Sequence, residues 1–222
     1  MIPLRDTQPS SSRPLVTLVL IAINVTVFFY QLSLNSWELN DFISRYAVVP
    51  DRFQYPDLVT SMFLHGGWLH LIGNMWFLWI FGDNIEDILG HTKYLMFYLL
   101  CGIAAAMVHA YLNTYSRVPT VGASGAIAGV MGAYLVKFPH SRILTLVPIF
   151  IFITTLEIPA LFMLLYWFAI QIFSGIGSVG ESQVSRGGVA WFAHVGGFVA
   201  GILLVYILGA RERYRYRRDL SW

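Results

Sequence analysis

The sequence has 222 residues, of which 57% are hydrophobic and only 12% are charged. Soluble globular domains have roughly 45–50% apolar and about 25% charged residues, so the composition excludes an ordinary soluble domain. The formal net charge of +2 favours no charged partner, and the single cysteine, Cys101, excludes an intrachain disulfide. Because the apolar residues come in long blocks, we predict an all-α, polytopic membrane protein.

The first apolar run covers residues 14–34 and follows Arg5 and Arg13. A signal peptide would have a shorter apolar run followed by a small-residue cleavage site. This run is long enough to span a bilayer, which takes about 20 helical residues. We therefore predict that residues 1–13 form an N-terminal segment and that the run is a retained transmembrane helix.

Later in the chain, more apolar segments reach or approach spanning length. They cover residues 61–81, 94–112, 121–136, 158–173 and 189–208. Together with the first run they predict a bundle of six transmembrane helices. The membrane domain then covers 14–209, and a basic tail covers 210–222.

Two stretches differ from a simple crossing. The segment at 121–136 is short and Pro139 ends it, so its start is predicted below the membrane surface, where irregular backbone needs surrounding protein or a water-filled cavity. The stretch 143–155 is predicted to lie at the interface. A helix is then predicted to start near Pro159, with Glu157 at its N-terminus, where a negative charge suits the helix dipole.

Lys and Arg are unevenly distributed outside the apolar segments. The N-terminal segment, 83–93, 137–145 and the tail together carry 10 of them, whereas 35–60, 113–120 and 174–188 together carry 4. The positive-inside rule then predicts that both termini are cytoplasmic. We interpret the tail, with its five arginines, as a topology signal in contact with the lipid bilayer, with no nucleic acid as partner.

His70 and Asn74 lie in the second apolar segment, four residues apart. A helix places both on one face, where a ring N–H and an amide N–H could hold an oxyanion. The alternative is that they only hydrogen-bond neighbouring helices.

Ser124 lies at the start of the fourth segment, in the sequence GASGA at 122–126. One interpretation is a helix N-cap. The other is a nucleophile, because backbone N–H groups at a helix start are unpaired and the dipole there favours developing negative charge.

His194 precedes Gly197 and Gly201, whose spacing lets two transmembrane helices approach closely. The fourth segment offers matching small residues at Gly125, Gly129 and Gly132. Close packing of the two helices would place the His194 ring beside the hydroxyl of Ser124. The alternative is a structural histidine that bonds between helices.

These motifs together resemble the rhomboid family of intramembrane serine proteases. The similar parts are His70-x-x-x-Asn74, the sequence GASGA, Ala193-His194 with its two glycines, and Gly82-x-x-x-Glu86-x-x-x-Gly90. The resemblance covers essentially the whole six-helix region. It implies a rhomboid-like bundle and a serine endopeptidase.

The resemblance also implies roles for these residues. Ser124 would be the nucleophile and His194 the general base, in a dyad without an orienting carboxylate. His70, Asn74 and the Ser124 N–H would form the oxyanion hole, and Glu86 would be structural. Single-pass membrane proteins would be the substrates. Trp167, Phe168 and residues 174–188 would belong to a substrate gate and cap.

Two features differ from some members of that family. The position four residues after the serine is Ala128 rather than an aromatic residue that stacks on the histidine, so the sequence does not indicate what orients His194. The 35–60 loop has no Trp-Arg pair, and its role is open. The natural substrate and the oligomeric state are open as well.

Other functions are compatible with parts of the pattern. A non-catalytic rhomboid-like protein that binds membrane clients is one, and a small transporter with polar residues at mid-membrane is another. No metal or cofactor is predicted, because H-E-x-x-H is absent and His70 with His194 lacks a third ligand. The expected location is a bacterial cytoplasmic membrane, as a multi-pass protein.

Overall fold

The computed structural model describes residues 2–52, 54–149, 152–177 and 190–211. The predictions for the cap and for the basic tail concern residues that are largely outside these ranges. Most of the cap segment, at 178–189, and the arginines of the tail beyond residue 211 lie outside the described residues.

The described residues form eight α-helices. These are α1 (Leu15–Ser33), α2 (Ser36–Tyr46), α3 (Asp57–Thr60), α4 (Trp68–Leu89), α5 (His91–Leu112), α6 (Ser124–Lys137), α7 (Ala160–Gly177) and α8 (Trp191–Ile207). Each of the six predicted segments contains most of one long helix. The short helices α2 and α3 lie in the 35–60 loop.

The second predicted segment differs most from its helix. A 3₁₀ turn covers Ser61–Phe63, and α4 starts only after Gly66 and Gly67. The helix then continues past residue 81 to Leu89, and Gly90, with φ of 78°, separates it from α5. The 83–93 stretch, which lies between two of the predicted segments, is therefore mainly helical, and the carboxylate of Glu86 within it is buried and hydrogen-bonded.

Helix length bears on the predicted crossings. Among the described helices, α1 and α5 are long and apolar enough to cross a membrane, whereas α6, α8 and Ala160–Ile176 of α7 are apolar but shorter. Helix α4 has 22 residues but carries Asp83, Glu86 and Asp87 near its end. The count of six crossings stays a prediction.

The described residues are mostly helical, as expected, but they are not all-α. Strands β1 (Ile2–Asp6), β2 (Arg142–Ile149) and β3 (Phe152–Pro159) form an antiparallel sheet in the order β1-β2-β3. The stretch expected at the interface supplies most of the β2–β3 hairpin. The Ile, Thr and Val residues of this stretch favour β-strands. Strand β2 also pairs with β1, which lies at the N-terminus of the chain.

The position predicted for Glu157 is also wrong. It lies in β3 opposite Leu144, and its carboxylate is 3.8 Å from the guanidinium of Arg142. The negative charge of Glu157 therefore pairs with Arg142 on the neighbouring strand of the hairpin. Helix α7 begins after it, at Ala160.

Helix α6 is the centre of the fold. Every residue from Gly125 to Leu135 is buried, between α4, α5 and α8. Large buried rings from three helices complete the core around it; they are Phe81, Tyr94, Phe97, Tyr98 and Tyr134. This packing fixes the axis of α6 and therefore the position of its first residue, Ser124.

The loop before α6 is fixed by the 35–60 segment. Asn35 and Glu38 form a capping box that starts α2. Further on, Val48 and Thr120 exchange two backbone hydrogen bonds of 3.1 and 2.8 Å. The segment left without a role by the sequence thus ties down the chain four residues before Ser124.

Candidate active site

Glycines bring α6 and α8 into direct backbone contact. A Cβ atom on Gly197 would collide with the carbonyl oxygen of Gly125, and one on Gly201 would collide with that of Gly129. The small residues are therefore required by the close approach of the two helices. At this separation a side chain on the first turn of α8 reaches the first turn of α6.

Ser124 and His194 meet at this point. The Ser124 Oγ atom lies 2.7 Å from the Nε2 atom of His194. Ala123 holds the N-cap position, so Ser124 is the first residue inside the helix rather than its cap. Its backbone N–H belongs to the first turn, whose N–H groups have no partner within the helix.

The ring of His194 has a second hydrogen bond, on its other side. Its Nδ1 atom lies 2.7 Å from the Oε1 atom of Gln171 in α7, and both side chains are buried. The ring of Trp167, one turn earlier in α7, lies beside it with centroids 5.8 Å apart. Helix α7 thus provides the contacts that orient His194, which Ala128 cannot provide.

His70 faces the chain just before Ser124. The N–H of Gly66 donates to its Nδ1 atom at 3.4 Å, so the proton of the neutral ring is on Nε2. This Nε2 atom points at Gly122, where an added Cβ would come within 2.6 Å of it. Gly122 has φ of 121° and leaves the space that the ring occupies.

Asn74 lies on the same face of α4, one turn later. Its Nδ2 atom would be 3.5 Å from a Cβ on Gly122, and it lies 3.0 Å from the Nε2 atom of His65. An amide nitrogen carries two N–H groups, so the contact with His65 leaves a second donor. The structure therefore brings His70 and Asn74 together beside the residues that lead into Ser124.

His65 is a buried part of this cluster. Its backbone exchanges two hydrogen bonds with the amide of Gln31 in α1, at 3.0 and 3.1 Å. Its ring packs edge-on against His70, with centroids 5.1 Å apart. The two donors on α4 are thus supported by a contact from α1.

Glu86 has a different surrounding at the opposite end of α4. Its carboxylate accepts hydrogen bonds from the N–H groups of Val16 and Thr17, at 2.8 Å each, and from the Thr17 hydroxyl at 2.7 Å. His91 contacts the same carboxylate at 2.6 Å. Glu86 therefore caps the start of α1, in agreement with the structural role implied for it.

Within the described ranges, no three His, Cys, Asp or Glu side chains come close enough to hold a metal ion. His109 bonds the hydroxyl of Thr120 at 2.9 Å. The chemistry that the cluster offers is that of a hydroxyl beside an imidazole, with nearby N–H donors.

Gln171 is the residue that sequence reasoning missed. It is the only amide side chain in the 18 residues of α7. An amide side chain in an apolar helix is costly unless it finds a partner, and that was the available signal. Its partner could not be identified without the fold, because His194 lies on a different helix.

Comparison with known proteins places these features in a family. Residues 52–211 match the family model of the rhomboid domain. The chain is 30% identical to Rhomboid protein 1, mitochondrial, of Saccharomyces cerevisiae, over 90% of this chain and 55% of that protein. It is 33% identical to RHOMBOID-like protein 6, mitochondrial, of Arabidopsis thaliana, over 68% and 43%.

A bacterial protein is similar over more of its own length. The chain is 30% identical to Rhomboid protease AarA of Providencia stuartii, over 87% of this chain and 73% of that protein. The chain spans about half the length of the yeast and plant relatives. The family therefore includes a protein named as a protease, and its members come from bacteria and from mitochondria.

Proposed function

The chain belongs to the rhomboid family of membrane proteins, and on that premise we propose that it is an intramembrane serine endopeptidase. The observation that carries the proposal is the 2.7 Å contact between Ser124 Oγ and His194 Nε2. A serine hydroxyl is a weak nucleophile until an adjacent base accepts its proton. The contact supplies that base.

The proposed reaction is acyl transfer in two steps. Ser124 Oγ attacks the carbonyl carbon of the scissile peptide bond while its proton passes to His194 Nε2. The resulting imidazolium gives the proton to the leaving amine as the C–N bond breaks. A water molecule, deprotonated by the same Nε2 atom, then attacks the acyl carbon, and Nε2 returns the proton to Ser124 Oγ as the ester bond breaks.

The oxyanion of the tetrahedral intermediates needs donors that are already in place. The proposed donors are the Nε2–H of His70, the Nδ2–H of Asn74 and the backbone N–H of Ser124. Support comes from the two side chains facing Gly122 and from the position of Ser124 at N1 of α6. The positive end of the α6 dipole adds to their effect.

Single-pass membrane proteins are the proposed substrate class, and they would reach the site through the bilayer. Both termini are proposed to lie on the cytoplasmic side, with Ser124 near the opposite face. Support comes from the uneven distribution of Lys and Arg. The relatives include mitochondrial and bacterial proteins, and a bacterial membrane is not singled out by them.

The test is cleavage of a single-pass reporter in liposomes by the purified protein. We expect cleavage by the wild type and none above background with Ser124→Ala or His194→Ala. Ser33→Ala and His140→Ala are matched controls at positions away from the site and should cleave at the wild-type rate. Cleavage by all variants would contradict the proposal. A wild type that binds reporters without cutting them would instead favour the client-binding function.

A further inference from the structure

The hydrogen bond between Gln171 and His194 restricts the protonation of the ring. The Oε1 atom of an amide can only accept, and it lies 2.7 Å from Nδ1. Nδ1 must therefore carry the proton of the neutral ring. Nε2 is then left with a free lone pair, and this is the atom that lies 2.7 Å from Ser124 Oγ.

Burial makes this hydrogen bond selective. Gln171 is 5% exposed and His194 is 8% exposed. A buried polar group without a partner costs about 1–3 kcal/mol. With the amide oxygen facing the ring, as it does here, the tautomer with the proton on Nε2 would set that oxygen against the lone pair of Nδ1, so this arrangement requires the proton on Nδ1.

Trp167 restricts the same ring from another direction. It precedes Gln171 by four residues, so a helix places both on one face. The indole lies beside the imidazole at 5.8 Å with an angle of 35° between the planes. Trp167 thus limits the tilt of the imidazole ring. Gln171 limits its rotation and its tautomer.

We infer that Gln171 is a positioning residue of the reaction, which holds the His194 ring in the tautomer and orientation that can accept the Ser124 proton. The inference rests on the proposed function and adds a third residue to the pair. An amide takes the geometric part that a carboxylate takes in a Ser-His-Asp triad, but it brings no negative charge.

The position of Gln171 on α7 has a consequence for the protein as a whole. Helix α7 contacts α8 through Phe168 and Phe198, whose rings stack with centroids 4.4 Å apart. The base is thus oriented only while α7 stays against α8. A displacement of α7 would remove the acceptor from Nδ1.

Steady-state kinetics on the reporter would test the role. Gln171→Met keeps the approximate volume and removes the acceptor, and we expect kcat to fall about 10- to 100-fold with KM unchanged. Gln171→Glu keeps an acceptor oxygen and should stay within about tenfold of the wild type. Thr26→Ala, which removes an exposed hydroxyl of α1 that bonds only the carbonyl oxygen of Ala22, is the control and should match the wild type. Thermal unfolding would be measured for each variant.

The tautomer can be measured without catalysis, from ¹⁵N chemical shifts of the His194 ring in labelled wild-type protein. We expect a protonated Nδ1 and an unprotonated Nε2, and a mixture of tautomers in Gln171→Met. A protonated Nε2 in the wild type would overturn the inference. So would a Gln171→Met variant with the wild-type kcat, and in that case the proposed function would stand. A wild type without protease activity would end the proposed function, and the ring shifts would still decide the tautomer.

Discussion

Single substitutions of His70 and Asn74 test the proposed oxyanion hole. Removal of one oxyanion donor typically lowers kcat about 10²- to 10³-fold. We expect such a loss for His70→Ala and for Asn74→Ala, with a small change in melting temperature. Reporter cleavage and thermal unfolding would check both variants. Ile72→Ala, on the exposed side of the same helix, is the control, and wild-type rates in both variants would remove the two residues from this role.

Gly122 is a position where any side chain would be strained. Its φ of 121° is rarely adopted by other residues, and a Cβ would come within 2.6 Å of His70 Nε2. The backbone strain alone costs about 1–3 kcal/mol, so Gly122→Ala should displace His70 and lower the cleavage rate. Gly73→Ala, where a Cβ would meet nothing within 4 Å, is the matched control. Equal rates for both variants would contradict this interpretation.

The close packing of α6 on α8 can be tested by adding a side chain between the two helices. Gly201→Ala would place a Cβ against the backbone of Gly129, which cannot move as a flexible side chain can. Overpacking of this kind costs about 1–3 kcal/mol, and the helices that carry Ser124 and His194 would move apart. We expect a lower melting temperature and slower cleavage. Val199→Ala, on the exposed face of α8, should change both less.

Glu86 holds α1 against α4 through charged hydrogen bonds to the first turn of α1. Such bonds are each worth about 1.5–3 kcal/mol, so Glu86→Gln should lower the melting temperature clearly. Asp41→Asn breaks an exposed pair with Arg45, and an exposed pair contributes only about 0–1 kcal/mol. Thermal unfolding of both variants would measure the difference, and an equal loss would contradict a capping role for Glu86.

The sequence predicts these elements unevenly, for physical reasons. The long helices were predictable because apolar runs of spanning length have few alternatives. The pairing of β1 with β2 was not, because it joins residues 2–6 to a strand more than half of the chain away. Likewise His70 and Asn74 were found from helical spacing within one segment, whereas Gln171 and His194 lie on different helices and only the fold brings them together.

Strand β1 links the sheet at one end of the chain to the helical core. The hydroxyl of Tyr134 in α6 donates to the carboxyl of Asp6 in β1 at 2.5 Å. Burial raises the pKa of Asp6 from 3.8 to about 7, and the neighbouring Asp83 adds to this, although the Tyr134 hydrogen bond opposes it. The folded state therefore binds the Asp6 proton more tightly than the unfolded chain does.

The sign of the pH dependence follows from this raised pKa. The contribution of Asp6 to stability is fully present below about pH 4 and is lost as the pH rises to about 7. We expect the melting temperature of the wild type to fall over this range more than that of Asp6→Asn. Melting curves from pH 4 to pH 8 would measure both. Parallel curves would show that Asp6 does not titrate in this way.

The proposed topology is a second property of the whole molecule. Cys101 is the only cysteine and is buried, so a Cys101→Ser background allows single cysteines to be placed at Ser11 and at Ser221. In oriented vesicles a membrane-impermeant maleimide should label both from the same side. Labelling from opposite sides would contradict an even number of crossings.

The most direct test of the Ser-His dyad is covalent labelling of the nucleophile. A fluorophosphonate reacts with an activated serine hydroxyl and releases fluoride, and tandem mass spectrometry identifies the labelled residue. We expect one adduct, on Ser124 of the wild type, and none on Ser124 when His194 is replaced by Ala. An adduct at another residue, or equal labelling of Ser124 with and without His194, would contradict the account.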